Sequence, residues 1–71
     1  MTETTQIQWR RQPSGSAIPC YRESGKPGWA PYTRSPHHVP DAPGMSSPGM
    51  TTWRKWLSLG FTVVRGVGND T

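Results

Sequence analysis

The chain is poor in almost everything that holds a small protein together. It has one cysteine, Cys20, so no disulfide can form within it, and no Cys/His set has the spacing of a structural zinc site. Acidic residues are few, four against eight Lys and Arg, leaving a net charge of +4. No stretch of about 20 apolar residues exists, so a membrane-spanning helix is excluded. The start, "MTETTQIQW", lacks the apolar segment of a secretory signal, and a lone unpaired cysteine fits a reducing, intracellular compartment. Hydrophobic residues make up 31% of 71 residues. Fixing each residue costs roughly 1–2 kcal/mol of backbone entropy, and so little apolar surface offsets it poorly. These absences predict a mostly disordered, extended Pro/Gly-rich chain with no substantial core of its own.

What is present is proline and glycine, eight of each. The prolines fall at 13, 19, 27, 31, 36, 40, 43 and 48, leaving no room between them for a long helix. "KPGW", "APGM" and "SPGM" suit type II turns, with polyproline-II segments between them. Residues 1–50 are therefore expected to be an extended tether. Near its start, Thr5, Ile7 and Trp9 alternate with Gln6 and Gln8, the period of a strand. With no evident partner strand, extended coil is the expectation. The motif Pro-Gly-Met plus two hydroxyl residues occurs twice, at 43–47 and 48–52, too short to define a repeat architecture.

Residues 51–65 carry the clearest pattern. Trp53, Trp56, Leu57, Gly60, Phe61 and Val64 fall on one stripe of a helix that Thr51 or Thr52 could cap. The spacing predicts a short C-terminal amphipathic helix over 52–65, followed by a flexible tail at 66–71. Gly60 would cost such a helix about 1 kcal/mol. "FTVV" is β-branched, so a helix to 60 followed by a strand is the alternative. Either segment is too short to be stable alone in water and calls for a surface.

Three surfaces suit it. A protein groove would take Trp53, Trp56, Leu57, Phe61 and Val64 as docking anchors. An anionic membrane surface would meet Arg54, Lys55 and Arg65. A fold-back of Trp9, Trp29 and Tyr32 would make a small internal core. The sequence points first to a non-catalytic interaction peptide or small accessory subunit docking on a larger protein assembly. A peripheral membrane peptide is second. Weak nucleic-acid binding, suggested by Trp9-Arg10-Arg11, Tyr21-Arg22 and Trp53-Arg54-Lys55-Trp56, is third. A reading-frame product without a selected function is a further alternative. No enzyme activity and no cofactor or metal is expected: Cys20, His37, His38 and Asp41 lie in proline-rich sequence with nothing to hold them in catalytic or ligating geometry.

Overall fold

The computed structural model of the chain describes residues 4–44 and 48–69. The alternating stretch at the start finds a partner sixteen residues on. Strand β1 (Gln6–Arg11) pairs antiparallel with β2 (Ala17–Arg22), Gln6 opposite Arg22 and Arg11 opposite Ala17. The turn between them closes through the Gln12 N–H on the Ser16 carbonyl at 2.8 Å. A two-residue β3 (Ala30–Pro31) adds to β2, and a single 3-10 turn (Tyr32–Arg34) follows. Helix α1 (Met50–Ser58) then leads into β4 (Thr62–Asn69), which lies parallel to β1. The result is a mixed sheet of order β3-β2-β1-β4 with one helix on it.

This overturns the expectation of a mostly disordered Pro/Gly chain with a single C-terminal helix, and with it the description as intrinsically disordered. The radius of gyration is 11.9 Å. Scaling predicts about 11 Å for a folded domain of this length and about 26 Å for an unfolded one. Two features hid the sheet. One is Pro19, inside β2 opposite Trp9. Proline has no N–H to give a neighbouring strand, but β3 reaches only Cys20 and Tyr21, so no β3 residue faces Pro19. The other is the reach between partners: β1 and β4 are some fifty residues apart, and no local pattern announces that pairing.

The helix also stops earlier than the stripe suggests. Leu59 is its C-cap and Gly60 has φ +83°. The Gly60 N–H donates to the Leu57 carbonyl at 3.1 Å and the Phe61 N–H to the Trp56 carbonyl at 3.3 Å. These are the paired bonds of a Schellman terminus, which needs a left-handed residue where glycine stands. Gly60 is thus a stop signal and no mid-helix defect. Neither Thr51 nor Thr52 is the N-cap. That position is Gly49 (φ +80°), whose N–H donates to Asp41 Oδ2 at 2.6 Å; a Cβ on it would meet Pro19 Cδ at 2.7 Å.

The pleat sorts β1 and β2 into two faces. Ile7, Trp9, Pro19 and Tyr21 point toward α1; Gln6, Gln8, Arg10, Cys20 and Arg22 point away from it. Trp53 packs on Trp9 (ring centroids 5.6 Å apart) and Trp56 meets Tyr21 edge-on at 5.9 Å. Ile7, Trp56 and Thr52 are fully buried. A mini-core over the helix therefore exists, built with Trp9 as expected but with Ile7 and Tyr21 in place of Trp29 and Tyr32. Thr52 Oγ1 both accepts from the Val39 N–H (2.7 Å) and donates to the Val39 carbonyl (2.8 Å), tying the proline-rich connection to the helix.

Two substitutions test this arrangement by urea denaturation. Gly60→Ala should destabilise the fold by about 1–2 kcal/mol, because alanine is strained at positive φ; a helix continuing through residue 60 would instead gain up to about 1 kcal/mol. Thr52→Val, of similar shape, should cost about 1–3 kcal/mol by leaving both Val39 backbone groups unpaired.

Candidate docking groove

Four strands about 4.8 Å apart make a sheet roughly 14 Å across, while a helix is about 10 Å wide. One helix cannot cover the whole face, and α1 sits over β1 and β2. On the β3 side the gap is closed by the connection that carries Ser35 and Val39. On the β4 side it is open. Val63 and Val67 are the register partners of Ile7 and Trp9, so they lie on the helix-bearing face; yet they are 45% and 53% exposed, where Ile7 is 0%. Trp53 and Leu57, one helical turn apart, form the wall of α1 on this side, with Leu57 45% exposed. Trp53 faces β1 through Trp9, which places its side of the helix toward β4. The β4 valines on the helix-bearing face, with Trp53 and Leu57 on the neighbouring side of α1, outline a candidate apolar groove. Leu59, 46% exposed, stands at the helix end.

The floor is not flat. One two-residue step of β1, from Ile7 to Trp9, is matched by four residues of β4, from Val63 to Val67. The surplus forms a bulge at Val64, Arg65 and Gly66, with Gly66 at φ +83°. The Arg65 carbonyl in that bulge accepts from Gln8 Nε2 at 3.3 Å. The bulge restores Val67 to the same face as Val63.

The anchors expected from the sequence divide into three groups. Trp56 is wholly in the core, its Nε1–H donating to Ser35 Oγ at 3.3 Å, so it can touch no partner of the folded chain. Trp53 and Leu57 line the groove. Phe61 is half-buried at another site, against His37 (5.9 Å between rings) in a cleft of about 150 Å³ with Thr5, Tyr21, Glu23, Ser35 and Pro36. Val64 is half-buried in the bulge. Arg54, Lys55 and Arg65 are exposed. The valines of the floor, Val63 and Val67, were missed by a stripe drawn at helical spacing. The β-branched run "FTVV" was the signal for Val63; Val67 lies three residues beyond it.

The groups considered for chemistry do not converge. Cys20 is buried on the face away from the helix, with Gln12 Nε2 at 3.9 Å. The His37 ring meets Phe61 and the His38 ring meets Tyr32, each pair tilted at 59°. Ser35 Oγ accepts from both Trp56 Nε1 and the His37 backbone N–H, a structural arrangement. Among the described residues no group of three His, Cys, Asp or Glu side chains is placed to hold a metal, and no helix is long and apolar enough to cross a membrane. Comparison with protein-family models, with curated proteins and with solved structures finds no match, so the geometry alone carries the functional argument.

If the groove valines serve something other than folding, they should be dispensable for it. Val63→Thr and Val67→Thr keep the β-branched shape and should each change unfolding free energy by no more than about 0.5 kcal/mol. Ile7→Ala, on the same face of the neighbouring strand, should cost about 2–5 kcal/mol. Chemical denaturation of the three variants checks the contrast.

Proposed function

We propose that the chain is a non-catalytic docking module that receives an acidic amphipathic helix of a larger protein assembly in the groove between α1 and β4. The observation that carries this reading is the pair Val63 and Val67, exposed on the one face of the sheet that is otherwise a core. A second helix laid beside α1 would complete a two-layer sandwich of ordinary form. The charge of the segment that carries α1 and β4 favours one kind of occupant. Between Pro48 and Asn69 there are three basic residues, Arg54, Lys55 and Arg65, and no Asp or Glu. An incoming helix with carboxylates beside its apolar stripe matches these; a basic one is repelled. Relative to the free amphipathic helix expected from the sequence, the roles are exchanged: α1 and β4 form the receiving surface, and the partner brings the stripe.

The test is a selection from a displayed library of helical peptides against the intact chain. Enriched sequences should carry apolar residues at i, i+3 or i+4, and i+7, with Asp and Glu between them. Their affinity should fall at least tenfold, about 1.4 kcal/mol, on Val67→Glu or Leu57→Glu. Enrichment of basic or extended peptides, or clones that bind Val67→Glu as well as the parent, would show the reading to be wrong. Binding of the intact chain to vesicles rich in phosphatidylserine, lost on the same two substitutions and with no peptide enriched, would replace the protein partner with a lipid surface.

A further inference from the structure

The cleft beside Phe61 opens at the end of the sheet where β1 and β4 begin and β2 stops. Thr5 precedes β1, Phe61 precedes β4 and Glu23 follows β2. The Thr62 N–H ties the first two together by donating to the Thr5 carbonyl at 3.0 Å. The proline-rich connection closes the remaining side with Ser35, Pro36 and His37. Basic residues outnumber acidic ones two to one in the chain, yet among the described residues this cleft is lined by Glu23 and by no Lys or Arg. Three rings share it. Those of His37 and Phe61 are 5.9 Å apart and tilted at 59°, so they make two walls set at an angle and not a closed stack. Tyr21, held against Trp56 at 5.9 Å, adds a third side.

Two polar groups in this lining have capacity to spare. Ser35 is 8% exposed, and its Oγ accepts from Trp56 Nε1–H at 3.3 Å and from the His37 N–H at 3.0 Å. Neither donor can take a proton in return, so the Ser35 hydroxyl hydrogen is left to donate. Glu23 meets Lys26 through Oε2 at 3.6 Å, but the two side chains are 46% and 74% exposed and Lys26 does not line the cleft. So exposed a pair holds weakly and leaves the second carboxylate oxygen to another cation.

We infer that this cleft binds a choline-type cation, a trimethylammonium group with an oxygen acceptor two carbons away. Aromatic rings attract such a cation through their electron-rich faces, and its nitrogen, bearing no hydrogen, asks for no acceptor that the rings would fail to supply. Glu23 adds the opposite charge. The hydrogen of the buried Ser35 hydroxyl is the donor for the oxygen. The size agrees: a space of about 150 Å³ takes a molecule as large as benzene. Sites for larger cofactors start at roughly 300 Å³. A primary ammonium, compact and strongly hydrated, would lose more water on entry than a methylated one. The cleft shares no lining residue with the groove between α1 and β4, so the two sites are independent.

The experiment titrates the intact chain with choline chloride and follows two-dimensional amide NMR spectra. Shifts should saturate with a dissociation constant of about 10 mM or tighter. They should map to Tyr21, Glu23, Ser35, His37 and Phe61 and leave Val63 and Val67 unmoved. The uncharged analogue in which carbon replaces the choline nitrogen has the same shape and should bind at least tenfold more weakly. Tetramethylammonium keeps the charge but lacks the oxygen, and should bind about two- to tenfold more weakly, the worth of one hydrogen bond. Phe61→Leu, still apolar, and Glu23→Gln should each weaken choline about fivefold or more with the rest of the spectrum that of the folded chain. Val67→Glu, in the other groove, should leave choline binding unchanged. Phosphatidylcholine vesicles that bind the chain and are displaced by choline would make a lipid headgroup the source of the cation; vesicles that do not bind would make it a free small molecule. No saturable shift, shifts centred on the α1–β4 groove, the uncharged analogue or tetramethylammonium bound as tightly as choline, or full affinity in either cleft variant would each overturn the inference. The comparison of ligands on the wild-type protein decides the matter even if a variant fails to fold.

Discussion

The whole fold turns on the burial of one indole. Trp56 has no exposed surface, and each part of the chain reaches it by a different contact. The hairpin supplies Tyr21, edge-on to its ring. The helix supplies Trp53, 6.2 Å away between centroids. The proline-rich connection supplies Ser35, whose hydroxyl takes the indole N–H. A tryptophan removes roughly 200 Å² from water, which in so lean a chain is a large share of the total apolar gain. Its one polar atom must be satisfied in the interior, and that requirement fixes where Ser35, and so residues 32–39, can lie. A chain with 31% hydrophobic residues can fold because its few large side chains meet at one point.

That convergence explains what could and could not be read from the residues in order. The helix was legible, since Trp53, Trp56 and Leu57 repeat at helical spacing. The alternation of Ile7 and Trp9 with Gln6 and Gln8 was visible, but with no partner in view it read as extended coil, where the structure has β1. Pro19 marked β2 as broken to a local reading, and only the two-residue length of β3 makes that proline harmless. Gly60 was visible but ambiguous: the same residue is a flaw within a helix and a fitting end to one, and the choice depends on whether Phe61 onward has a sheet to join. Thr52 carries no sequence sign of its bonds to Val39. Low apolar content argued for disorder because an average per residue cannot register two ring contacts made across the chain, Trp9 on Trp53 and Tyr21 on Trp56.

The apolar strip beside α1 and the arginine-bearing face share one sheet and one cause. The alternation that buries Ile7 and Trp9 necessarily turns Gln6, Gln8 and Arg10 to the other side. In a sheet with a single helix, one face has apolar surface to spare and the other, Cys20 apart, carries mainly polar and basic side chains. The groove was half legible: its wall came from the helical stripe, but its floor required β4 to be recognised as a strand. The approach of Arg10 and Arg22 to the Trp29 ring, each Cζ 5.0 Å from its centroid, was not legible at all, since the three residues lie in separate segments joined only by the pleat and the path of the chain after β2.

The surplus residues of β4 have a further result. A straight outer strand would offer its free backbone groups to a second copy, and that copy would offer its own, so the addition could repeat without limit. Here the kink at Val64–Gly66 breaks the ladder in mid-strand, and at the far side of the sheet β3 is only two residues long. Among the described residues, neither margin is a long, flat edge of the kind that templates strand addition.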